Sequence, residues 1–152
     1  MAVVVYDLRT EAKQIAAVQK ATLETDQFGL VADPALFGSD EWWAALGTER
    51  LPVHVTEGVI SRVYWASMGD YPEFSLVEPD GTETKWTRFG DITRYVEGLA
   101  VTIEHVTQWF KPNGFASGII DEEHEEVVRV SIEDSPLRSD PRAPGPGGVG
   151  LR

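Results

Sequence analysis

Two runs of alternating apolar and polar residues flank a Pro-Asp-Gly sequence in the middle of the chain, and this arrangement constrains the fold more than any other feature. Pro79-Asp80-Gly81 separates the run PEFSLVE from the run TETKW. A turn sequence between two alternating runs predicts a β-hairpin. A three-residue loop with a left-handed glycine keeps the apolar side chains of both strands on one face, whereas a two-residue loop divides them. We therefore predict the three-residue register, which pairs Phe74 with Trp86 and Leu76 with Thr84.

The same period of two recurs in other segments and predicts further strands. Residues 51–67 alternate, and Gly58 in their middle indicates a bulge or a sharp bend. Further apolar residues at every second position are Leu99, Val101 and Ile103, and then Val128, Val130 and Ile132. The β-branched run at residues 2–6 indicates an opening strand.

Two N-terminal segments have the composition of helices. Residues 10–25 are rich in Ala, Gln, Lys and Glu, and their narrow apolar stripe places this helix on the outside of the core. In residues 39–47, Ser39 is a suitable N-cap. Trp42 and Trp43 lie about 100° apart around this second helix, so we expect one in the core. The other is either a contact residue or, as we favour, buried under a neighbouring loop.

These elements together predict an α+β fold, with two N-terminal helices on a small, strongly bent antiparallel β-sheet or partly open barrel. The spacing of the strands over residues 51–133 resembles that of small OB-like or SH3-like barrels in outline. We expect residues 1–134 to form a single globular domain. Residues 135–152 contain four Pro, four Gly and three Arg, a composition that predicts a flexible tail.

The charge is strongly negative. The chain has 25 acidic and 13 basic residues and a formal net charge of -12. Residues 1–134 alone hold 24 acidic and 10 basic residues, because three of the arginines lie in the tail. Such a charge repels nucleic acid and anionic membranes and attracts basic proteins, although acidic residues also serve solubility alone. We therefore expect a basic protein partner, with no direct nucleic-acid or membrane binding.

Several classes of function lack their sequence signatures. The chain has no cysteine, which excludes disulfides, thiolate zinc sites and cysteine nucleophiles. Glycine-rich phosphate loops, dinucleotide-binding motifs and the serine nucleophile elbow are absent, so we expect no cofactor. The first residues lack the features of a signal peptide, and no apolar run reaches the length of a membrane span. A cytoplasmic location is the expectation.

The three histidines are the places where acid–base chemistry would be expected. His54 lies on the polar side of its strand, as a surface histidine would. His105 shares the side of Val101 and Ile103 at the edge of the core. It is either a half-buried imidazole with satisfied hydrogen bonds or a general base. The second alternative predicts a small-ligand-binding or hydrolytic barrel, with a pocket lined by Trp65, Tyr71 and Trp86.

The stretch IIDEEHEEVV places the third histidine among five carboxylates. If these residues were helical, Asp121, His124 and Glu125 would lie on one face and could bind a metal ion. The stretch lacks the spacing and the glycine of a calcium-binding EF-hand loop. Aliphatic pairs on both sides resemble strand ends, so we interpret the stretch as a solvated acidic turn.

The loop ASMGDYPE, residues 66–73, joins two predicted strands. Binding residues concentrate in loops that a rigid sheet holds in place. We predict a binding surface here, with an ordinary hairpin loop as the alternative. Its residues are Trp65, Asp70, Tyr71, Trp86 and Arg88.

The leading functional hypothesis is a non-enzymatic acidic interaction domain that binds a basic protein, as an inhibitor or toxin-neutralising protein does. The hydrolytic or ligand-binding barrel that uses His105 is one alternative. A structural subunit of a larger assembly, in which the basic tail orders against an acidic neighbour, is another. The sequence leaves the oligomeric state open.

Overall fold

A computed structural model of the protein describes residues 1–25, 29–66, 68–111 and 123–134. Its elements in chain order are β1 (Ala2–Asp7), α1 (Ala12–Glu24), α2 (Asp40–Ala45), β2 (His54–Ala66), β3 (Tyr71–Val77), β4 (Glu83–Thr87), β5 (Ala100–Trp109) and β6 (Glu123–Glu133). The strands form one six-stranded sheet in the order β1-β6-β5-β2-β3-β4. No helix within these residues is long and apolar enough to cross a bilayer. The predicted tail, residues 135–152, lies outside the described residues.

The predicted fold class, two N-terminal helices on a small sheet, is wrong. The described residues form mainly a six-stranded sheet, and α1 is the one long helix among them. The second predicted helix has six residues, which is less than two turns. The opening strand joins the sheet beside β6, and Glu123 to Glu126 continue β6 instead of forming the predicted acidic turn. The period-two segments therefore dominate the fold, and α1 buries none of its side chains completely.

The predicted hairpin register is confirmed. Strands β3 and β4 are antiparallel, with Phe74 opposite Trp86 and Leu76 opposite Thr84. Gly81 has φ 90°, in the left-handed region that a side chain would make unfavourable. Phe74 and Leu76 are both fully buried. The burial of these two side chains on one face fixes the register, as the alternation predicts.

Strands β2 and β3 are also antiparallel, and their pairing contains one irregularity. The register shifts between Ile60 and Arg62, two residues after the predicted position at Gly58. The glycine has a different role, because a Cβ there would overlap the carbonyl oxygen of Val77 and lie 2.9 Å from Leu76 Cγ. Gly58 therefore allows β3 to approach β2 closely.

The chain divides into two units, each formed by segments that are distant in sequence. The first contains Met1–Tyr6, Thr56–Thr102 and, of the described residues near the C-terminus, 130–134. In its core, the rings of Phe74 and Tyr95 lie 5.1 Å apart. The Tyr95 hydroxyl donates a hydrogen bond of 2.7 Å to the carbonyl oxygen of Phe89, and the Phe89 ring stacks on Tyr6. Aromatic packing and this hydrogen bond stabilise the loop after β4.

The second unit contains Asp7–Val55 and Ile103–Arg129. As predicted, the Ser39 side chain caps α2 by accepting a hydrogen bond from the backbone N–H of Trp42. As expected for one tryptophan of α2, Trp42 is fully buried, whereas Trp43 is half-buried. The Arg9 guanidinium lies 4.1 Å from the centre of the Trp43 ring and covers part of it.

Candidate functional site

The end of the β2–β3 hairpin exposes large apolar side chains. Trp65 is 54 % exposed and Tyr71 is 59 % exposed, and Met68 between them is fully exposed. Asp70 is exposed beside them. We call these four residues the hairpin surface. Trp65 pairs with Pro72 and Tyr71 pairs with Ala66, so the two rings leave the hairpin end on opposite faces. Isolated exposed apolar residues are ordinary, but Trp and Tyr exposed together at one hairpin end are typical of a protein-binding site.

Backbone hydrogen bonds close the hairpin and hold these residues in place. The backbone N–H groups of Gly69 and Asp70 both donate to the carbonyl oxygen of Ala66. Met68 and Gly69 both have positive φ, at 60° and 91°. The pairing of Trp65 with Pro72 and Ala66 with Tyr71 continues the ladder to the end of the strands. The hairpin surface is therefore built on regular, hydrogen-bonded strands.

Arg88 connects β4 to the base of the hairpin surface. Its Nη2 donates a hydrogen bond of 2.9 Å to the carbonyl oxygen of Tyr64, and its guanidinium carbon lies 5.2 Å from the centre of the Trp65 ring. Arg88 is buried, and its Nε has no hydrogen-bond partner among the described residues. A cation over an aromatic face stabilises the orientation of that ring. Arg88 therefore positions Trp65 and is itself largely inaccessible.

Trp86, the fifth residue predicted for this surface, lies on β4 away from the hairpin end. It is half-buried opposite Phe74, and its indole N–H donates a hydrogen bond of 2.8 Å to Thr84 Oγ1. Of the five predicted residues, Trp65, Asp70 and Tyr71 are exposed at the hairpin end, Arg88 supports Trp65, and Trp86 packs further along the sheet.

A charged and aromatic network lies on the same hairpin and was not predicted. The Tyr64 hydroxyl donates a hydrogen bond of 3.1 Å to Glu73, which is its cross-strand partner. The Arg62 guanidinium lies 4.2 Å from the centre of the Tyr64 ring. Cross-strand pairs of this kind stabilise a sheet face. Their positions depend on the bulge before Arg62, which a period-two pattern alone does not reveal.

His105 lies in the second unit, whereas Trp65, Tyr71 and Trp86 lie in the first. It is 8 % exposed, and its Nδ1 lies 2.6 Å from Glu125 Oε1. The Thr107 hydroxyl donates a hydrogen bond of 2.6 Å to the other oxygen of Glu125. The ring of His54 lies 5.7 Å from that of His105. These contacts form one polar group on strands β5 and β6 and the start of β2.

The electrostatics of this group favour an ionised Glu125. Burial opposes the charge, but the hydrogen bonds from Thr107 and His105 outweigh it and hold the pKa of the Glu125 carboxyl below its ordinary value. The sequence did not indicate the pairing, because His105 and Glu125 lie 20 positions apart on different strands. A carboxylate at Nδ1 orients the imidazole, as it also does in catalytic histidine–carboxylate pairs, so the general-base alternative for His105 stays a prediction.

The histidine of the acidic stretch, His124, lies in β6. His124 Nε2 is 3.1 Å from an oxygen of the buried Glu126. Of the predicted metal ligands, Asp121 lies outside the described residues. Within the part of the chain that the structure describes, no three histidine or carboxylate side chains group closely enough to hold a metal ion.

Trp and Tyr side chains exposed at the end of a hydrogen-bonded hairpin, in a chain of net negative charge, are typical of a protein that acts by binding another protein. A comparison with family models gives the particular class. The chain belongs to the RhsI2 immunity protein family, whose model matches residues 2–133. Membership of an immunity family implies a toxin as the binding partner. No curated protein matches the chain significantly.

Proposed function

We propose that this protein neutralises its toxin by direct, non-enzymatic binding, and that the hairpin surface supplies the central contacts. The match to an immunity family over residues 2–133 supports the kind of partner. The joint exposure of Trp65, Met68 and Tyr71 at the end of one hairpin is the structural observation that carries the choice of surface.

Physical chemistry favours these residues as contacts. Tryptophan and tyrosine account for a large share of the binding energy at protein interfaces, because they bury much apolar area and lose little conformational entropy. Trp65 is already held by Arg88, so binding costs less ordering of its side chain. The backbone ladder up to Ala66 and Tyr71 supports both aromatic residues in the same way.

The charge of the chain favours a basic toxin surface. Residues 1–134 carry 24 acidic and 10 basic residues, which corresponds to a net charge of -14. Opposite charges across an interface accelerate association and select against wrong partners. The proposal therefore includes a toxin whose contact surface is basic.

The surface is tested by alanine substitution in the full-length chain. Trp65→Ala and Tyr71→Ala should each weaken the affinity for the cognate toxin by more than about tenfold. Trp109→Ala is the matched control, because Trp109 is 48 % exposed on β5. Calorimetric titration gives the affinities, and thermal unfolding checks that each variant is folded. Unchanged affinity for both hairpin variants would exclude this surface.

A further inference from the structure

We propose that a groove near the start of β2 receives a lysine or arginine side chain of the toxin, an inference that rests on the toxin-binding function proposed above. The groove has a volume of about 430 Å³ and lies within the first unit. Its lining residues are Glu57, Gly58, Val59, Val77, Glu78, Pro79, Ala100, Val101 and Thr102. We call it the valine groove.

Aliphatic side chains form most of the valine groove. Val59 and Val77 are cross-strand partners on β2 and β3, and β5 adds the half-buried Ala100, whereas Val101 is buried in the core beneath. Val77 is 36 % exposed, so its apolar surface remains accessible to a partner. Such a surface suits the methylene stem of a long side chain, which gains stability from leaving water.

Two carboxylates line the same groove. Glu57 is exposed, and Glu78 is half-buried with a hydrogen bond of 3.4 Å from Thr84 Oγ1. No lysine or arginine of the described ranges lies within ion-pair distance of either one. A third carboxylate, Glu83, is the cross-strand partner of Val77. The carboxylates therefore create a negative potential beside an apolar surface, and this potential attracts a cationic group of a partner protein.

A lysine or arginine side chain satisfies both properties of the groove. Its aliphatic stem packs on the valines and its cationic head lies between carboxylates, as amphipathic side chains do at protein surfaces. A purely apolar side chain would leave the carboxylates unpaired, and an acidic one would be repelled. The charge complementarity thus selects a basic contact residue.

The valine groove and the hairpin surface belong to the same two strands. Val59 and Val77 lie near one end of the β2–β3 pairing, and Ala66 and Tyr71 form its other end. At about 3.4 Å per residue the paired strands extend for roughly 20 Å between them. This length suits a protein interface of standard size, which buries about 800 Å² on each partner. Tyr71 and Val77 lie on the same face of β3, whereas Trp65 lies on the opposite face with Phe74, so a toxin surface that covers the groove can extend to Tyr71.

The experiment compares two double variants of equal charge in the full-length protein. Glu57→Gln with Glu78→Gln neutralises the groove. Glu49→Gln with Glu97→Gln removes the same charge from exposed positions elsewhere. The probe is the cognate toxin, and the readouts are its dissociation constant and the salt dependence of that constant. A third variant, Ala100→Phe, fills the groove without changing the charge.

The groove variant should weaken toxin binding by more than about tenfold and reduce its salt dependence, while the control changes the affinity less than about threefold. Ala100→Phe should weaken binding comparably with unchanged thermal unfolding. Equal affinities for the groove and control variants would overturn the groove while leaving toxin binding intact. An absence of binding by the unmodified protein would instead overturn the proposed function, and the groove with it.

Discussion

The indole N–H of Trp42 donates a hydrogen bond of 3.1 Å to the side-chain oxygen of Gln108, 66 positions further along the chain. Both side chains are buried almost completely. Gln108 also donates through its Nε2 to the carbonyl oxygen of Thr107. A short helix, α2, is thereby connected to strand β5 by a polar contact inside an apolar environment, where hydrogen bonds must be satisfied.

Replacing Gln108 with Leu should destabilise the protein by about 1–3 kcal/mol, because it leaves the buried indole N–H of Trp42 without an acceptor. Chemical denaturation measures the loss of unfolding free energy. Combining Gln108→Leu with Trp42→Phe removes both polar groups, so the double variant should lose less stability than the sum of the single variants. Simple additivity would show that the hydrogen bond does not couple the two residues.

Tyr95→Phe should reduce the unfolding free energy by about 1 kcal/mol near neutral pH, because the carbonyl oxygen of Phe89 loses its donor. Burial also raises the pKa of Tyr95 well above its ordinary value of 10.0. The folded state therefore favours the neutral phenol, and this contribution to stability is complete below pH 10 and is lost as the pH rises above it. The difference between the two proteins should shrink at alkaline pH.

Denaturation curves at several pH values between about 7 and 11 follow this difference. Tyr71→Phe is the matched control, since Tyr71 is exposed at the hairpin end. A constant difference between wild type and Tyr95→Phe across this range would show that the phenol ionises as easily in the folded protein as in the unfolded chain.

Glu125→Gln tests the polar group on β5 and β6. The pKa of Glu125 lies below its ordinary value of 4.5, because hydrogen bonds from Thr107 and His105 outweigh the effect of burial. Its contribution to stability is present above pH 4.5 and is lost as the pH falls through the lowered folded pKa. Glu125→Gln should therefore lower stability at pH 6 and approach wild type in acid, whereas exposed Glu123→Gln should show no such trend. A wild-type Glu125 pKa at or above 4.5, measured by NMR titration, would contradict this account.

Local features of the sheet could be predicted from the sequence where a turn and a period of two act together. The pairing of Phe74 with Trp86 followed from Pro79-Asp80-Gly81 and the alternation on both sides. The fold class could not be derived in this way. The position of β1 beside β6 joins residues more than 100 positions apart, and no local pattern specifies such a partner.

For the candidate sites too, the sequence indicated residues within one hairpin but not contacts between distant strands. Loop chemistry indicated Trp65, Asp70 and Tyr71, which are exposed at the hairpin end, and their role in binding stays a prediction. The valine groove was missed, because Val59 and Val77 become neighbours only through strand pairing. The contact between His105 and Glu125 depends in the same way on two different strands. Sequence reasoning therefore succeeds within a hairpin and fails where distant strands must be aligned.

The most direct test of the central claim measures binding between the protein and its cognate toxin, at about 0.05 M and about 0.5 M ionic strength. Neutralisation of the toxin by stoichiometric amounts of the protein is followed in the same samples. The account predicts a direct complex, loss of toxin activity, and an affinity at least about tenfold weaker at the higher salt concentration. Absence of a complex would contradict direct neutralisation, and an affinity independent of salt would contradict the basic toxin surface.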